Sequence, residues 1–243
     1  MPNVYLTPGP SQLYFTVETH MRQAIKQDIP SISHRSKAFE MINQRTQENL
    51  RNLLNVPEDF HIYFTASATE VWERIAQNLV INESHHLVNG AFSKRFASIV
   101  SECGLHPSAT EVPHGEVVDV ETLMIPESSE LIALTHNETS TGAQHSWNDI
   151  KAVRNAFPDQ LIALDMVSSA PDVIVDFNDI DTTYFSVQKG FGLPAGLGIW
   201  ILNDRCIEKA LKKKASGASL GSYHSIPALV EKGKKYQTPE TPN

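Results

Sequence analysis

The sequence predicts an α/β fold in which helices cover both faces of a mainly parallel β-sheet. Short apolar runs with strand character alternate along the chain with segments whose apolar residues recur at helical spacing. This alternation is typical of parallel sheets, because parallel strands need crossover connections that are usually helices. The 243 residues are 41% hydrophobic and 20% charged, an ordinary globular composition that disfavours disorder or a coiled coil.

The first predicted elements are two helices, a strand and a third helix. Apolar residues at helical spacing lie within 17–25 and 39–53, and Pro57 ends the second helix. The run 61–64 is apolar and aromatic, which predicts a strand. A helical stripe within 71–79 follows it, so the sheet begins near residue 60.

The remainder of the chain continues this alternation. Further strands are predicted at 86–88, 131–135, 161–164, 183–187 and 197–202. Helices are predicted at 92–102, 147–156 and 204–214. The segment 212–222 predicts a mobile surface loop, and 232–243 is polar and holds no finished element. Ligands of such sheets bind beyond the carboxyl ends of the strands, so the chemistry is expected there.

Charge, cysteine and histidine patterns disfavour several function classes. Lys and Arg number 20 against 28 Asp and Glu, and a net charge of -8 argues against binding nucleic acid or an anionic membrane. No apolar run approaches the roughly 18 residues of a membrane span, and no secretion signal precedes the first helix. Cys103 and Cys206 form no CxxC, which favours the cytoplasm, and the histidines lack metal-ligand spacing, so no metal is expected.

The segment 185–198 carries the strongest chemical signal. Lys189 lies where a predicted strand ends, and several glycines follow it, which lets backbone and ligand approach closely. A lysine in a partly desolvated pocket loses its proton more easily and can form a Schiff base with an aldehyde cofactor. Taken alone, a solvated lysine beside a glycine-rich turn is the alternative.

Two further strand ends carry polar groups. Asp165 ends the apolar run 161–164, where a carboxylate either caps the following turn or pairs with a buried cation such as a protonated ring nitrogen. The turn 65–70 follows a strand and opens a helix, and its small residues allow backbone N–H groups to face an anion. An ordinary helix N-cap is the alternative for that turn.

Four other residues have both a functional and a structural interpretation. Phe92 is placed to stack on a flat ring, or it is a core aromatic. Thr139 follows a strand and either donates to a ligand oxygen or forms a turn. His34 and Arg35 precede a helix and either hold an acidic substrate or form surface ion pairs.

Taken together and in this order, these segments resemble the class V branch of the pyridoxal-phosphate aminotransferases. Within that branch the phosphoserine aminotransferases are the most similar. The likeness covers almost the whole chain. It is carried by the opening turn 7–11 (TPGPS), the segment 33–39 (SHRSKAF), the Ala68-Thr69 pair, Phe92, the NET segment 137–139, Asp165, the Gln188-Lys189 pair and Thr238.

The resemblance implies a role for each matching position around the cofactor. Ala68 and Thr69 fall where class V enzymes bind the cofactor phosphate. Phe92 falls at the ring-stacking aromatic and Thr139 beside the phenolic oxygen. Asp165 falls at the partner of the ring nitrogen.

The remaining matches imply the Schiff-base lysine and contacts that reach the substrate or a second subunit. Lys189 corresponds to the Schiff-base lysine, and Gln188 precedes it at the cofactor. Thr238 corresponds to a threonine that reaches across a dimer to the neighbouring subunit's phosphate. His34 and Arg35 correspond to residues that help hold the acidic groups of the substrate.

The resemblance also implies an architecture. It is the fold type I of pyridoxal-phosphate-dependent transferases, a mainly parallel seven-stranded sheet sandwiched by helices. Residues 1–15 would form a segment near the active site, 16–235 the large cofactor-binding domain, and 236–243 the start of a smaller C-terminal domain that the chain stops before. Homodimers with shared active sites are expected.

The implied reaction is transamination of a small acidic amino acid with a 2-oxo acid, most simply phosphoserine/glutamate exchange in serine biosynthesis. The turn 65–70 has the broader class V form, and Phe92 stands where phosphoserine aminotransferases usually have Trp. The alternatives are an alanine- or serine-glyoxylate aminotransferase, a cysteine desulfurase, or a large domain that binds cofactor without turnover. Gln188 argues against the desulfurases, which usually have His there.

Overall fold

A seven-stranded β-sheet runs through the centre of the protein in the computed structural model, which describes residues 4–240. The helices are α1 (Val17–Lys26), α2 (Lys37–Leu54), α3 (Ala68–Leu79), α4 (Ala91–Glu102), α5 (Trp147–Ala156), α6 (Asp204–Ala215) and α7 (Ile226–Gly233). The strands are β1 (Phe60–Thr65), β2 (Glu83–Val88), β3 (His106–Glu111), β4 (Leu131–Thr135), β5 (Asn137–Glu138), β6 (Ala143–Gln144), β7 (Leu161–Asp165), β8 (Thr182–Ser186) and β9 (Gly198–Asn203).

The sheet is mainly parallel, as the sequence predicts. Its strand order is β1-β9-β8-β7-β4-β2-β3, and β5 pairs with β6 in a separate two-stranded hairpin. Strand β9 runs opposite to the other strands of the large sheet, because it pairs antiparallel with both β1 and β8. The pairings among β8, β7, β4, β2 and β3 are all parallel.

Each face of the sheet packs against its own layer of helices. Along β4, Leu131 and Ala133 belong to a core formed with α3, α4, α6 and α7. Ile132 and Leu134 belong to a second core formed with α2 and α5. Because side chains alternate between the faces of a strand, a central strand covered on both sides is apolar at every position. The predicted sandwich of helices around the sheet is therefore confirmed.

Side-chain caps that the sequence supplies mark the start of α2, α3, α5 and α6. Ser36 Oγ accepts from Phe39 N at 3.2 Å at the start of α2. Ser146 and Asp149 form a reciprocal capping box at the start of α5. These side chains satisfy backbone N–H groups that have no partner within the helix, which fixes where each helix begins.

Three segments differ from the sequence-based expectations. Strand β3 was not predicted, because its residues 106–111 are polar and lie at the sheet edge, paired with β2 alone. The predicted loop 212–222 is wrong at its start, since α6 continues to Ala215 and Lys213 is only 5% exposed. The Lys213 amine donates to the carbonyl of Val80 just beyond α3, which explains its burial. The tail likewise begins later than expected, because α7 extends to Gly233.

The carboxyl ends of four strands meet at one edge of the sheet. Thr135 pairs with Asp165 at the ends of β4 and β7. Thr65 and Ser186, which end β1 and β8, both pair with Gly198 at the start of β9. This edge is where the functional residues were expected. Among the helices described in residues 4–240, none is long and apolar enough to span a bilayer.

Candidate active site

A cavity of about 240 Å³ opens at the carboxyl edge of the sheet. Its lining includes most of the residues singled out from the sequence. They are Ala68, Thr69, Phe92, Thr139, Asp165, Gln188 and Lys189. Five separate segments of the chain therefore converge on one small pocket, which a chance collection of surface residues would not do.

Lys189 lies half-buried in this cavity, three residues beyond the end of β8. Its Nζ donates to Thr139 Oγ1 at 3.2 Å and lies 5.2 Å from the centroid of the Phe92 ring. Burial lowers the pKa of the amine, although the carboxylates of Asp165 and Glu138 oppose that shift. The solvated-lysine alternative is wrong, and the amine has the environment that favours its neutral, nucleophilic form.

The N-terminal segment packs directly on the lysine. A Cβ built on Gly9 would lie 2.6 Å from Lys189 Cγ, so a larger residue there would displace the lysine side chain. Ser11 Oγ donates to the carbonyl of Lys189 at 2.6 Å, and Ser11 N donates to the carbonyl of Gln188 at 2.8 Å. Residues 9–11 thus fix the backbone on which the amine stands.

Asp165 is buried at the end of β7 with one oxygen committed to each of two donors. Oδ1 accepts from Val167 N at 2.9 Å, and Oδ2 accepts from Trp72 Nε1 at 3.2 Å. Burial raises the pKa of this carboxyl to about 6, against the opposing effects of these two donors and of Lys189. The capping interpretation of Asp165 is therefore correct, and its pairing with a buried cation stays a prediction for a carboxyl that lines the cavity.

The turn between β1 and α3 forms the other wall of the pocket. Ser67 Oγ caps α3 by accepting from Glu70 N at 3.1 Å, and Ala68 N donates to Ser186 Oγ at 2.9 Å. Gly198 allows this turn to approach the sheet, because a Cβ there would lie 2.5 Å from the backbone carbon of Ser67. Thr69 is exposed beside the cavity. The N-cap interpretation is thus correct, and the same capped helix end faces the pocket.

Phe92 is 41% exposed in the first turn of α4, so it is a cavity residue and not a core aromatic. Its backbone N–H and that of Ser93 donate to the fully buried carboxylate of Glu138. Burial opposes ionisation of Glu138, but the hydrogen bonds from Ser93 and Ser140 outweigh it and lower the pKa of the carboxyl. Glu138 therefore holds the helix end that presents Phe92, and it lies next to Thr139 in sequence.

Three predicted site residues lie elsewhere in this chain. His34 and Arg35 do not line the cavity, and Arg35 Nη1 donates instead to Gln237 Oε1 at 3.2 Å. Thr238 is buried and donates through Oγ1 to the carbonyl of Glu240 at 2.6 Å. Residues 34–35 and 237–238 thus form one patch outside the pocket of their own chain.

Other lining residues were not identified from the sequence. Trp72 lines the cavity one helical turn after Ala68, a spacing that places both on one face of α3 and could have identified it. Ser186 ends β8 and was passed over as a strand residue. Asn137 and Ser168 hydrogen-bond to each other at 2.8 Å across the pocket wall, a contact that depends on the fold.

The donor set defines what this pocket can do. It combines an amine of lowered pKa, a buried carboxyl, an exposed aromatic ring and a helix end in one place. Such a set suits a small, flat, anionic ligand with an electrophilic carbon and a basic ring atom. Within residues 4–240, no group of three or more His, Cys, Asp or Glu side chains could hold a metal ion.

Comparisons with known proteins agree with this geometry. The family model described as Aminotransferase class-V matches residues 6–242. The chain is 30% identical over 234 residues to a phosphoserine aminotransferase of Rhodococcus opacus (strain B4), covering 96% of this chain and 60% of that protein. A phosphoserine aminotransferase of Corynebacterium glutamicum (strain R) is 30% identical over 239 residues, covering 96% and 61%. The chain thus spans about 60% of the length of these curated relatives.

Solved structures extend the comparison. A phosphoserine aminotransferase from Cytophaga hutchinsonii ATCC 33406 has a TM-score of 0.97 at 49% identity, covering 99% of this chain and 66% of that one. An aspartate aminotransferase of subgroup IV from Thermus thermophilus has a TM-score of 0.83 at 26% identity, with the same coverages of 99% and 66%. A PLP-bound phosphoserine aminotransferase from Trichomonas vaginalis, 22% identical with a TM-score of 0.78, shares the fold over 99% of this chain and 71% of that one.

Proposed function

The chain belongs to the class V aminotransferases, and from that membership we propose that it transfers amino groups between an amino acid and a 2-oxo acid with pyridoxal 5'-phosphate as cofactor. The observation that supports this most directly is the arrangement around Lys189. Its Nζ lies between the hydroxyl of Thr139 and the ring of Phe92, in a pocket that also contains the buried carboxyl of Asp165.

The pocket fits this cofactor on several independent observations. Asp165 is a buried carboxyl whose hydrogen bonds come from neutral donors, and a protonated ring nitrogen would be its partner. Gln188 Oε1 is buried at the cavity wall and has no hydrogen-bond partner among residues 4–240. The end of α3 would receive the phosphate at the Ala68–Thr69 turn, and Phe92 would cover the ring.

Lys189, Thr139 and Asp165 would each have a separate role in the reaction. When bound, the cofactor supplies an electron sink that makes the proton on the substrate α-carbon acidic. Lys189 would hold the aldehyde and then carry the proton, because burial lowers the pKa of its amine and so increases the neutral fraction. Thr139 orients that amine through the 3.2 Å contact to Nζ. Asp165 would keep the ring nitrogen protonated, since a nearby cation favours the ionised carboxylate.

We infer that the substrates are small and acidic, with phosphoserine and glutamate as the leading pair and serine biosynthesis as the setting. The relatives in Rhodococcus and Cytophaga, both phosphoserine aminotransferases, support this choice. A panel of phosphoserine, aspartate, alanine and cysteine, each offered with glyoxylate and 2-oxoglutarate, tests it. Turnover of alanine with glyoxylate alone, or release of sulfide from cysteine, would replace it with one of the other class V reactions.

We further propose that the active unit is a cytoplasmic homodimer. The position of Arg35 and Thr238 outside their own pocket supports a role in the pocket of a second copy. The large domain would comprise 16–235, with 1–15 beside the site and 236–243 leading into a further domain. Sedimentation at micromolar concentration tests the dimer, and a monomer that still binds cofactor at full affinity would contradict the shared site.

Modification of one lysine tests the cofactor proposal. Pyridoxal phosphate added to the wild-type protein should give an absorbance band near the visible edge, and borohydride should trap a pyridoxyl adduct on Lys189. Lys189→Ala should lose both signals. Lys94→Ala is the matched control, because Lys94 is an exposed lysine that pairs with Glu111 at 2.9 Å. An adduct on another lysine, or a colourless wild-type protein at saturating cofactor, would overturn the proposal.

A further inference from the structure

A histidine that belongs to none of the motifs described above lies behind the turn 65–70. The proposed function assigns this turn to the cofactor phosphate, and it is called the phosphate turn below. His224 has a side chain that is 1% exposed, between two carboxylates from distant parts of the chain. Its Nδ1 contacts Glu70 Oε1 at 2.5 Å, and its Nε2 contacts Glu240 Oε1 at 2.5 Å. An imidazole can donate to two ionised carboxylates at once only when both nitrogens carry protons, so this geometry favours the imidazolium form.

Glu70 connects this histidine to the pocket. Its second oxygen, Oε2, accepts from the backbone N–H of Ala66 at 2.9 Å, while its own N–H donates to Ser67 Oγ. The Glu70 carboxylate therefore lies between His224 and the backbone of the turn that leads to Ala68. Moving that carboxylate would release Ala66 and alter the cap of α3.

Glu240 connects the same histidine to the last described residues. The carbonyl of Glu240 accepts from Thr238 Oγ1, so the segment 238–240 is folded on itself and held at His224. The Tyr223 ring stacks on the imidazole with 4.1 Å between centroids, and the cationic Arg74 acts on Glu70. Arg74 donates to the carbonyl of Tyr223 and to Glu73, so it is paired independently.

We propose that His224 is a positioning residue for the phosphate turn, holding Glu70 against Ala66 from behind and tying that turn to the segment 238–240. The inference rests on the proposed cofactor and specifies which part of the cofactor His224 serves. His224 touches neither the cavity nor a reacting atom, so its effect falls on the phosphate and not on the ring or the aldehyde.

The contacts of His224 with Glu70 and Glu240 depend on pH, because they need a protonated imidazole and ionised carboxylates. Burial disfavours the imidazolium, but the contacts with Glu70 and Glu240 outweigh it and raise the pKa of His224. Burial likewise opposes ionisation of Glu70, yet His224 and the Ala66 N–H lower the pKa of that carboxyl. A histidine whose pKa is raised on folding contributes its full stabilisation below its ordinary pKa near 6.5 and loses it as the pH rises through the higher folded value.

The test compares two ligands that differ only in the phosphate. Dissociation constants for pyridoxal phosphate and for pyridoxal are measured by absorbance on the wild-type protein and on His224→Gln. We expect the preference for the phosphorylated ligand to fall about tenfold in the variant, with pyridoxal bound as in the wild type. Above about pH 7, where the phosphate is largely dianionic, the preference should decline as the pH rises through the raised pKa of His224 in the wild type and stay flat in the variant.

Two more variants and one further measurement distinguish a specific effect of His224 from a general effect of replacing a histidine. His61→Gln is the matched control, since His61 is an exposed histidine that contacts one carboxylate, Asp204, at 2.8 Å. Glu240→Gln leaves the buried imidazole in place and should show a smaller loss in the same direction. Hydrogen exchange of the Ala66 amide, measured without cofactor, should accelerate in His224→Gln and not in His61→Gln.

The outcomes separate the two proposals. A wild-type protein that binds neither ligand overturns the proposed function, and the Ala66 exchange rate still decides the role of His224. A wild-type protein that binds pyridoxal phosphate, together with a His224→Gln variant of unchanged preference, unchanged Ala66 exchange and a parallel pH profile, overturns the positioning role alone. Equal losses for pyridoxal and pyridoxal phosphate would show general destabilisation and would also overturn it.

Discussion

Two buried aspartates lie at opposite edges of the same sheet, and the protein treats them differently. Asp181, just before β8, is 1% exposed and accepts from Arg154, Arg205 and the backbone N–H of Ile162. Asp165, at the carboxyl end of β7, is also buried, and among residues 4–240 its carboxylate accepts hydrogen bonds from two neutral donors. Guanidinium groups of the chain itself neutralise the charge of Asp181, whereas the hydrogen bonds of Asp165 come from neutral groups.

The difference shows how a structural acid is distinguished from a functional one. A buried carboxylate surrounded by guanidinium groups already has the partners that its charge requires, so it needs nothing further. A buried carboxylate whose pKa is raised to about 6 stores unfavourable free energy, which a bound cation would relieve. By this criterion the carboxyl edge of the sheet is the reactive one, in agreement with the position of Lys189.

Removing the structural acid should have the largest effect. Asp181→Asn would leave the nearly buried guanidinium of Arg154 without its charge partner, so the free energy of unfolding should fall by about 3–5 kcal/mol. Urea denaturation measures it. Asp204→Asn is the control, because Asp204 is an exposed aspartate paired with His61, and its loss should cost about 1 kcal/mol or less. Equal losses of stability in Asp181→Asn and Asp204→Asn would mean that the buried ion pair of Asp181 contributes no more than an exposed one.

Asp165→Asn should have the opposite effects to Asp181→Asn, with no loss of stability and a large loss of activity. Asp165→Asn should leave the free energy of unfolding unchanged or raise it by up to about 3 kcal/mol at neutral pH, since it removes a poorly compensated buried charge. Transamination should fall by on the order of a hundredfold or more, because the ring nitrogen would lose its partner. Steady-state kinetics and urea denaturation on the same preparation measure both quantities. A large loss of stability with near-normal turnover would make Asp165 a structural residue like Asp181.

The contrast between these residues also shows what the sequence could predict. Lys189 and Asp165 were predictable because each lies at the end of a short apolar strand, a local pattern, and the family resemblance agreed. Trp72 had a local signal in its helical spacing from Ala68, but its contact with Asp165 joins positions 93 residues apart and depends on the fold. The same holds for Arg154 and Asp181, whose pairing depends on the sheet register and not on a motif.

The fold was predicted well where burial imposed an apolar pattern and poorly where it did not. The central strands β4 and β7 were recognised because both of their faces are covered, so residues 131–134 and 161–164 are continuously apolar. Strand β3 escaped recognition because an edge strand needs no such pattern. The burial of Lys213 was equally invisible, since it depends on the carbonyl of Val80 at the end of another helix.

The pH dependence of stability tests, without any ligand, whether the buried charge of Asp165 is unfavourable. Asp165 has a folded-state pKa raised to about 6, so the folded protein binds this proton more tightly than the unfolded chain does. The free energy of unfolding of the wild type should therefore fall relative to Asp165→Asn as the pH rises from about 4 to 6, by up to about 3 kcal/mol. Denaturation series of both proteins across that range measure it, and a constant difference would mean that the carboxyl is not desolvated in solution.

A third buried carboxylate, Glu138, should show a smaller effect with the opposite slope. It is neutralised by hydrogen bonds from Ser93, Ser140 and the backbone of Phe92, and its pKa is lowered. Glu138→Gln would turn an amide nitrogen toward those donors and cost about 2 kcal/mol of unfolding free energy at neutral pH.

The slope follows from the direction of the pKa shift at Glu138. A carboxyl whose pKa is lowered on folding stabilises the protein above its unfolded pKa, and that contribution disappears as the pH falls through the folded value. The stability gap between wild type and Glu138→Gln should therefore narrow in acid. For Asp165→Asn, the free energy of unfolding of the wild type minus that of the variant should instead increase as the pH falls, because ionised Asp165 is the unfavourable form. Two carboxylates in one pocket region would then give pH slopes of opposite sign, which general acid destabilisation cannot produce. Slopes of the same sign would mean that neutral N–H and O–H donors do not neutralise Glu138, and the distinction between satisfied and unsatisfied buried acids would fail within the site itself.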